Sequence, residues 1–341
     1  MSQNPLALGQ TPIIVLLFGT LFISGCAPFS YLTRISPEGH DGPQASQCGS
    51  CHVEQYQEWQ GTAHAGAFTS KTFQEAAGSP AEEECLQCHA PLDISTGKTE
   101  ARFFHQNEGV TCISCHLSQG KMHGPHPISA LITPHPVQEN DPFYLSPDLC
   151  ATCHGETHTQ WKKAAADQQI RICQECHIPT VQRRATKGTN LFSNILVSFD
   201  EKFQTRSHAI TLENMANFPG AVTITTRALN QGKNAPALAI TINNNLPHDL
   251  PTGTFGEKEI QLALIFLKEG VQVAEKTVVV SNEKQALAPG ETKKLQIPLS
   301  PAATRADTLR LNLERHSESR AGRPPIILSA TIIDSVSKAF H

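Results

Sequence analysis

The sequence predicts a two-domain chain: a mainly α-helical and irregular domain over residues 48–190, followed by an all-β, immunoglobulin-like sandwich over residues 220–335. Three observations predict it. One pentapeptide pattern, Cys-x-x-Cys-His, occurs five times between Cys48 and His177 and nowhere else. From about Gly220 onward the chain reads as short β-rich runs separated by turn residues. A connector, residues 191–219, separates the two patterns.

The five copies are Cys48-Gly49-Ser50-Cys51-His52, Cys85-Leu86-Gln87-Cys88-His89, Cys112-Ile113-Ser114-Cys115-His116, Cys150-Ala151-Thr152-Cys153-His154 and Cys173-Gln174-Glu175-Cys176-His177. A Cys-x-x-Cys pair alone is compatible with half a zinc site or a redox disulfide. A histidine after every pair points instead to covalent c-type haem, whose two vinyl groups take the two thiols while the histidine meets the iron. Ten of the eleven cysteines lie in the pattern, so the expectation is five haems. The proximal iron ligands are then His52, His89, His116, His154 and His177.

Composition fits that reading. Only 6% of the 341 residues are aromatic, while glycines number 22 and prolines 23, so the protein part alone builds a modest core. Haem supplies apolar bulk. The formal charge of −4 omits the haem propionates, and no basic run or stripe is present, which argues against nucleic acid as a partner.

Residues 1–25 read as a leader. The apolar run from Ile13 to Ile23 is too short to span a bilayer, which takes about 20 residues. It suits an export signal, although residues 1–12 lack the usual basic residues. Ile23-Ser24-Gly25-Cys26 resembles a bacterial lipobox, which accounts for the eleventh cysteine and implies lipidation at Cys26. The expected location is an exported, membrane-anchored lipoprotein facing the periplasm or cell surface, with Ala27 favouring the outer membrane over the inner. Residues 26–47 are rich in Pro, Gly and Ser and read as a tether, with His40 solvated within it.

After the first motif, Val53 to Gln60 reads as a helix stopped by Gly61. His64, twelve residues beyond His52, would lie about 18 Å away along a continuous helix. Axial ligands of one iron sit only about 4 Å apart. His64 is therefore expected to serve a different haem. Glu58-Trp59 followed by His64 resembles the Glu-Trp-x-x-x-x-His segment of the tetrahaem cytochrome c-554/c-552 type and its larger multihaem relatives. His105-Gln106-Asn107-Glu108-Gly109-Val110-Thr111-Cys112 resembles the same family's approach to a haem motif. The resemblance covers roughly residues 45–180, and it implies a compact, largely helical haem package with His105 as a distal ligand.

The loop over residues 117–147 holds six prolines with His123, His126 and His135, and it cannot form a long helix. His123 or His126 is its expected iron ligand, with Met122 as the alternative. An internal repeat follows. Trp161 lies seven residues after His154, as Trp59 lies seven after His52, but Ala166 takes the place of His64. That substitution suggests one iron lacking its second ligand. His158 is too near His154 to cap the same haem.

In the last domain seven strand-like runs begin near Ala221, Leu238, Ile260, Val271, Lys294, Leu309 and Ile326, which suggests the sandwich. His248-Asp249-Leu250-Pro251-Thr252-Gly253 resembles the His-x-Leu-Pro-Thr-Gly element of β-domains fused to related multihaem cytochromes. His208 resembles the ligand histidine ahead of that domain. Both are expected distal ligands. Together these features favour electron transfer between membrane-linked donors and a reductase or extracellular acceptor, with redox proteins as partners and a homo-oligomer or membrane complex as the candidate assemblies. The alternative is a reductase or oxidase of a small nitrogen or sulfur compound at one open iron.

Overall fold

The computed structural model describes residues 42–78, 81–97, 99–127, 135–166, 169–188, 201–210, 220–229, 236–253, 256–318 and 323–334. The leader, Cys26, His40 and His341 lie outside them.

In the first part, the described residues form eight short helices: α1 (Ala45–Gly49), α2 (Val53–Gln60), α3 (Lys71–Ala77), α4 (Glu83–His89), α5 (Cys112–His116), α6 (Asp148–Ala151), α7 (Gly155–Ala164) and α8 (Cys173–His177). The motif residues fall on or beside α1, α4, α5, α6 and α8. Helical spacing explains this, because residues three and four apart share a face, so one turn aims both thiols and the imidazole the same way. The His52 amide donates to the Cys48 carbonyl at 2.8 Å, and His154 to Cys150 at 2.9 Å, closing those turns. α2 stops at Gly61 as its sequence predicts.

Short strands pin the loops between motifs. β1 (Leu117–Ser118), β2 (Lys121–His123) and β3 (Val137–Gln138) make a small sheet, in which β3 runs parallel to β2 and sets His135 just ahead of it. β4 (Thr180–Arg183) pairs antiparallel with β5 (Phe203–Arg206). β5 lies inside the connector and delivers His208 directly after it.

The last part is β-rich. β6 (Val222–Leu229), β7 (Ala237–Asn244) and β10 (Thr292–Pro298) form one antiparallel sheet in the order β10-β7-β6. β8 (Lys258–Lys268), β9 (Val271–Asn282), β11 (Thr308–Ser317) and β12 (Ile326–Asp334) form a second, ordered β12-β11-β8-β9. Alternate residues face a shared core, as period-two side chains require. Leu262, Leu264 and Phe266 of β8 lie opposite Leu313, Leu311 and Leu309 of β11 and pack with Ile240 and Ile242 of β7. At about 1.5–3 kcal/mol per fully buried aliphatic or aromatic side chain, this core is the chain's main protein-only source of stability.

Among the described residues no helix is long and apolar enough to cross a membrane.

Candidate functional site

Four of the five motif histidines face a second histidine. Ring centroids lie 6.4 Å apart for His52 and His135, 6.2 Å for His64 and His154, 6.0 Å for His116 and His208, and 6.4 Å for His177 and His248. Two imidazoles on opposite sides of one iron, each with a metal–nitrogen bond of about 2 Å, put their centroids about 6.4 Å apart. The observed spacings fit a bis-histidine iron.

The tautomers agree. His52 Nδ1 lies 2.8 Å from the Ala185 carbonyl oxygen, His116 Nδ1 2.8 Å from that of His123, and His89 Nδ1 2.7 Å from that of Ala67. His248 Nδ1 lies 3.0 Å from the Asp249 carbonyl. A carbonyl only accepts, so each Nδ1 carries the proton and each Nε2 keeps its lone pair for a metal. Burial also holds the rings neutral, as ligation needs. It pushes His64, His177 and His208 down to about 4, and lowers His52, His116, His135, His154 and His248.

Sulfurs of different motifs are neighbours. Cys48 lies beside Cys112, Cys88 beside Cys153 and Cys150 beside Cys173, near enough for each thiol to shift the other's pKa. All ten described cysteines are free of disulfides, and the described residues contain no group of three or more His, Cys, Asp or Glu able to hold a bare metal ion. The donor set suits haem.

His89 differs. Among the described residues no histidine ring faces it, and its ring neighbour is Phe73, stacked at 4.0 Å. Phe73 belongs to a small apolar cluster with Leu86, Ala90 and Ala101. Phe73 covers the imidazole face, whereas the coordination axis lies in the ring plane.

The expected ligands take different places in this geometry. In the loop His135, just ahead of β3, faces His52, whereas among the described residues His123 and His126 face no motif histidine at that spacing. The His123 carbonyl accepts from His116 Nδ1, and the Nδ1 of His123 lies 2.9 Å from Asp141. His126 packs against Phe203. Met122 sits in β2 opposite Leu117 and Val137. His105 faces no motif histidine: its Nδ1 is 3.4 Å from Gln44 and its ring is edge-on to Phe104. The cause is Arg102, a buried guanidinium that donates to the carbonyls of Phe104, His105 and Gly109 and folds this turn around itself. Desolvation lowers Arg102 to about 10. His158 stacks on Trp161 and lies 3.3 Å from Asp148. Ala166 was expected to leave one iron short of a ligand, and among the described residues the motif histidine that faces no second histidine is His89.

Arg102, Glu108 and Gly109 were not anticipated as site residues. Glu108 accepts the Ala45 amide at 3.0 Å and the Thr111 hydroxyl at 3.1 Å, joining the first and third motifs. Gly109 has φ +58°, and a Cβ there would meet the His64 carbonyl oxygen. The Val110 amide donates to that oxygen at 2.9 Å. The Glu-Gly-Val run before Cys112 therefore seats His64, a role that a short side chain and a sequence pattern do not reveal.

Comparison with known proteins points the same way. Residues 47–117 match the family model described as cytochrome c554 and c-prime. This match and the paired histidines support a multihaem cytochrome c-like chain that binds covalent c-type haem. A penta-heme cytochrome c552 from Thermochromatium tepidum shares the fold, with a TM-score of 0.57 and 16% identity over 89% of this chain and 99% of that one. A putative ApaA protein from Bordetella pertussis is 18% identical over 33% of this chain and 90% of its own, at a TM-score of 0.22. That value is too low to bear on the fold. No curated protein matches the sequence.

Proposed function

We propose that the chain is a pentahaem electron-transfer protein in which four irons are held between histidine pairs and one, on His89, has a single protein ligand. The observation that carries this reading is the set of four histidine pairs at 6.0–6.4 Å. Bound haem supplies a one-electron iron couple. Two imidazoles per iron leave no position for a substrate, so these four sites suit electron carriage rather than ligand chemistry. Neutral, buried histidines with protonated Nδ1 hold fixed geometry in both oxidation states, which keeps reorganisation small. Sulfur contacts between motifs bring the sites together, so electrons pass along the set without leaving the domain.

His89 favours a second reading beside the first. Among the described residues no second histidine faces it, which would leave a position for a small ligand. A reductase or oxidase acting on a small nitrogen or sulfur compound would work there. The β-rich domain, read as an immunoglobulin-like sandwich, supplies His248. The leader and Cys26 support export and lipid anchoring, toward the outer membrane, with redox proteins as partners.

Haem content tests the count. The purified protein should carry five haems per chain, one per motif. Mass spectrometry showing fewer attached haems would contradict it.

A further inference from the structure

The repeat seen in the sequence extends to its hydrogen bonds. Tyr56 stacks on Trp59 at 5.8 Å and 28°, while His158, at the equivalent place, stacks on Trp161 at 5.8 Å and 22°. Trp59 Nε1 donates to the Val110 carbonyl at 2.8 Å, two residues ahead of Cys112. Trp161 Nε1 donates to the Arg171 carbonyl at 2.8 Å, two residues ahead of Cys173. The sulfur contacts repeat too, Cys48 with Cys112 and Cys150 with Cys173. The chain therefore contains one two-motif module twice, the first motif's helix gripping the approach to the second motif.

One helix position in each copy remains. Glu58, six residues after His52, accepts the backbone N–H of His208 at 2.7 Å and pairs with Arg183 at 2.8 Å. His208 faces His116, in the second motif of that copy. Gln160, six residues after His154, accepts the backbone N–H of Asp249 at 3.0 Å and the Thr252 hydroxyl at 2.9 Å, and donates to Asp249 Oδ2 at 2.9 Å. Asp249 follows His248, which faces His177, again in the second motif of its copy. Equivalent residues thus seat equivalent distal histidines, although the histidines come from unrelated parts of the chain.

We propose that Glu58 and Gln160 are positioning residues, each fixing the distal histidine opposite the second motif of its module, and that Gln160 is what holds His248 of the β-rich domain onto the haem domain. The loop's other bonds tie it to its own domain: Asn244 Nδ2 donates to the His248 carbonyl at 3.0 Å, and Ser281 to the Leu250 carbonyl at 2.6 Å. Gln160 and Thr157, whose hydroxyl meets that of Thr252 at 2.9 Å, make the bonds across to α7. Asp249 is gripped from both sides, its N–H by Gln160 and its carbonyl by the His248 ring. The module also accounts for Ala166. In the first copy His64 reaches forward to His154, the next module's first motif. The sequence holds no third copy whose first motif residue 166 could serve in the same way.

This inference rests on the histidine pairs being axial ligands, and the experiment separates the two. Electron paramagnetic resonance of oxidised holoprotein is compared for the parent chain, His248→Ala, Gln160→Leu, Gln160→Glu and Gln160→Glu with Asp249→Asn. His248→Ala should convert one low-spin signal to high spin. Gln160→Leu should convert the same signal. Gln160→Glu should also do so, by setting a carboxylate against Asp249, and adding Asp249→Asn should restore low spin by exchanging donor and acceptor. A spectrum unchanged in Gln160→Leu, or no recovery in the double variant, while His248→Ala opens the iron, overturns the positioning role. An unchanged spectrum in His248→Ala overturns the axial pairing, and the positioning role with it.

Discussion

The two parts of the molecule are stabilised in different ways. In the β-rich part, eighteen buried residues among those described form one continuous apolar core drawn from both sheets. In the motif-bearing part the largest such cluster is Phe73, Leu86, Ala90 and Ala101. There, buried polar groups do what an apolar core does elsewhere: Arg102 gathers three carbonyls, Arg183 joins Glu58 to the Arg206 carbonyl, and the helices are only one to three turns long. Isolated helices of that length are unstable in water. The difference implies that the first part takes its core from its haems, while the second folds on protein contacts alone.

The largest expected effect breaks that comparison outright. Chain produced in a host unable to attach c-type haem should lose the first part's structure and keep the second. Limited proteolysis followed by mass spectrometry should find cleavage throughout residues 42–188 and survival of residues 220–334. Equal resistance of both parts would show that the haem region folds without its cofactor.

Next in size, Leu311→Ala in the centre of β11 should cost about 2–5 kcal/mol, because it leaves a cavity in a site with no exposure. Denaturant unfolding followed by fluorescence or circular dichroism would read it, while absorption of the low-spin haems should hardly move in the folded state. A smaller loss, about 1–3 kcal/mol, is expected for Gly109→Ala, which sets a Cβ against the His64 carbonyl at a positive φ. Here the spectrum should report more than the stability does, through loss of the low-spin signal assigned to His154. The smallest effect is expected from Trp161→Phe, which removes the bond to the Arg171 carbonyl for about 1 kcal/mol and leaves every iron low spin that was so before.

The same contrast governs how far sequence reasoning reached. Period-two runs located all seven strands of the β-rich part, since burial of alternate residues leaves a direct mark on the sequence. The Cys-x-x-Cys-His spacing located the motifs because the chemistry itself demands that spacing. Spacing also separated His64 from His52, and its ring lies 6.2 Å from that of His154. What it lacked was the partner's identity. His123, between Met122 and Gly124, and His135, between two prolines, lie in one loop, and the β2–β3 pairing helps set His135 opposite His52. His105 matched a resemblance, yet Arg102, three residues earlier, holds its turn so that the ring faces Gln44. The role of Gln160 depends on a loop 89 residues away, a contact that no local pattern encodes.

The most direct test of the account is an electron paramagnetic resonance spectrum of the fully oxidised holoprotein, recorded before and after adding cyanide. Four histidine pairs and a lone His89 predict four low-spin irons that ignore the addition and one high-spin iron that shifts with it. Five low-spin irons untouched by cyanide, or a high-spin signal that persists in a His89 variant, would contradict it.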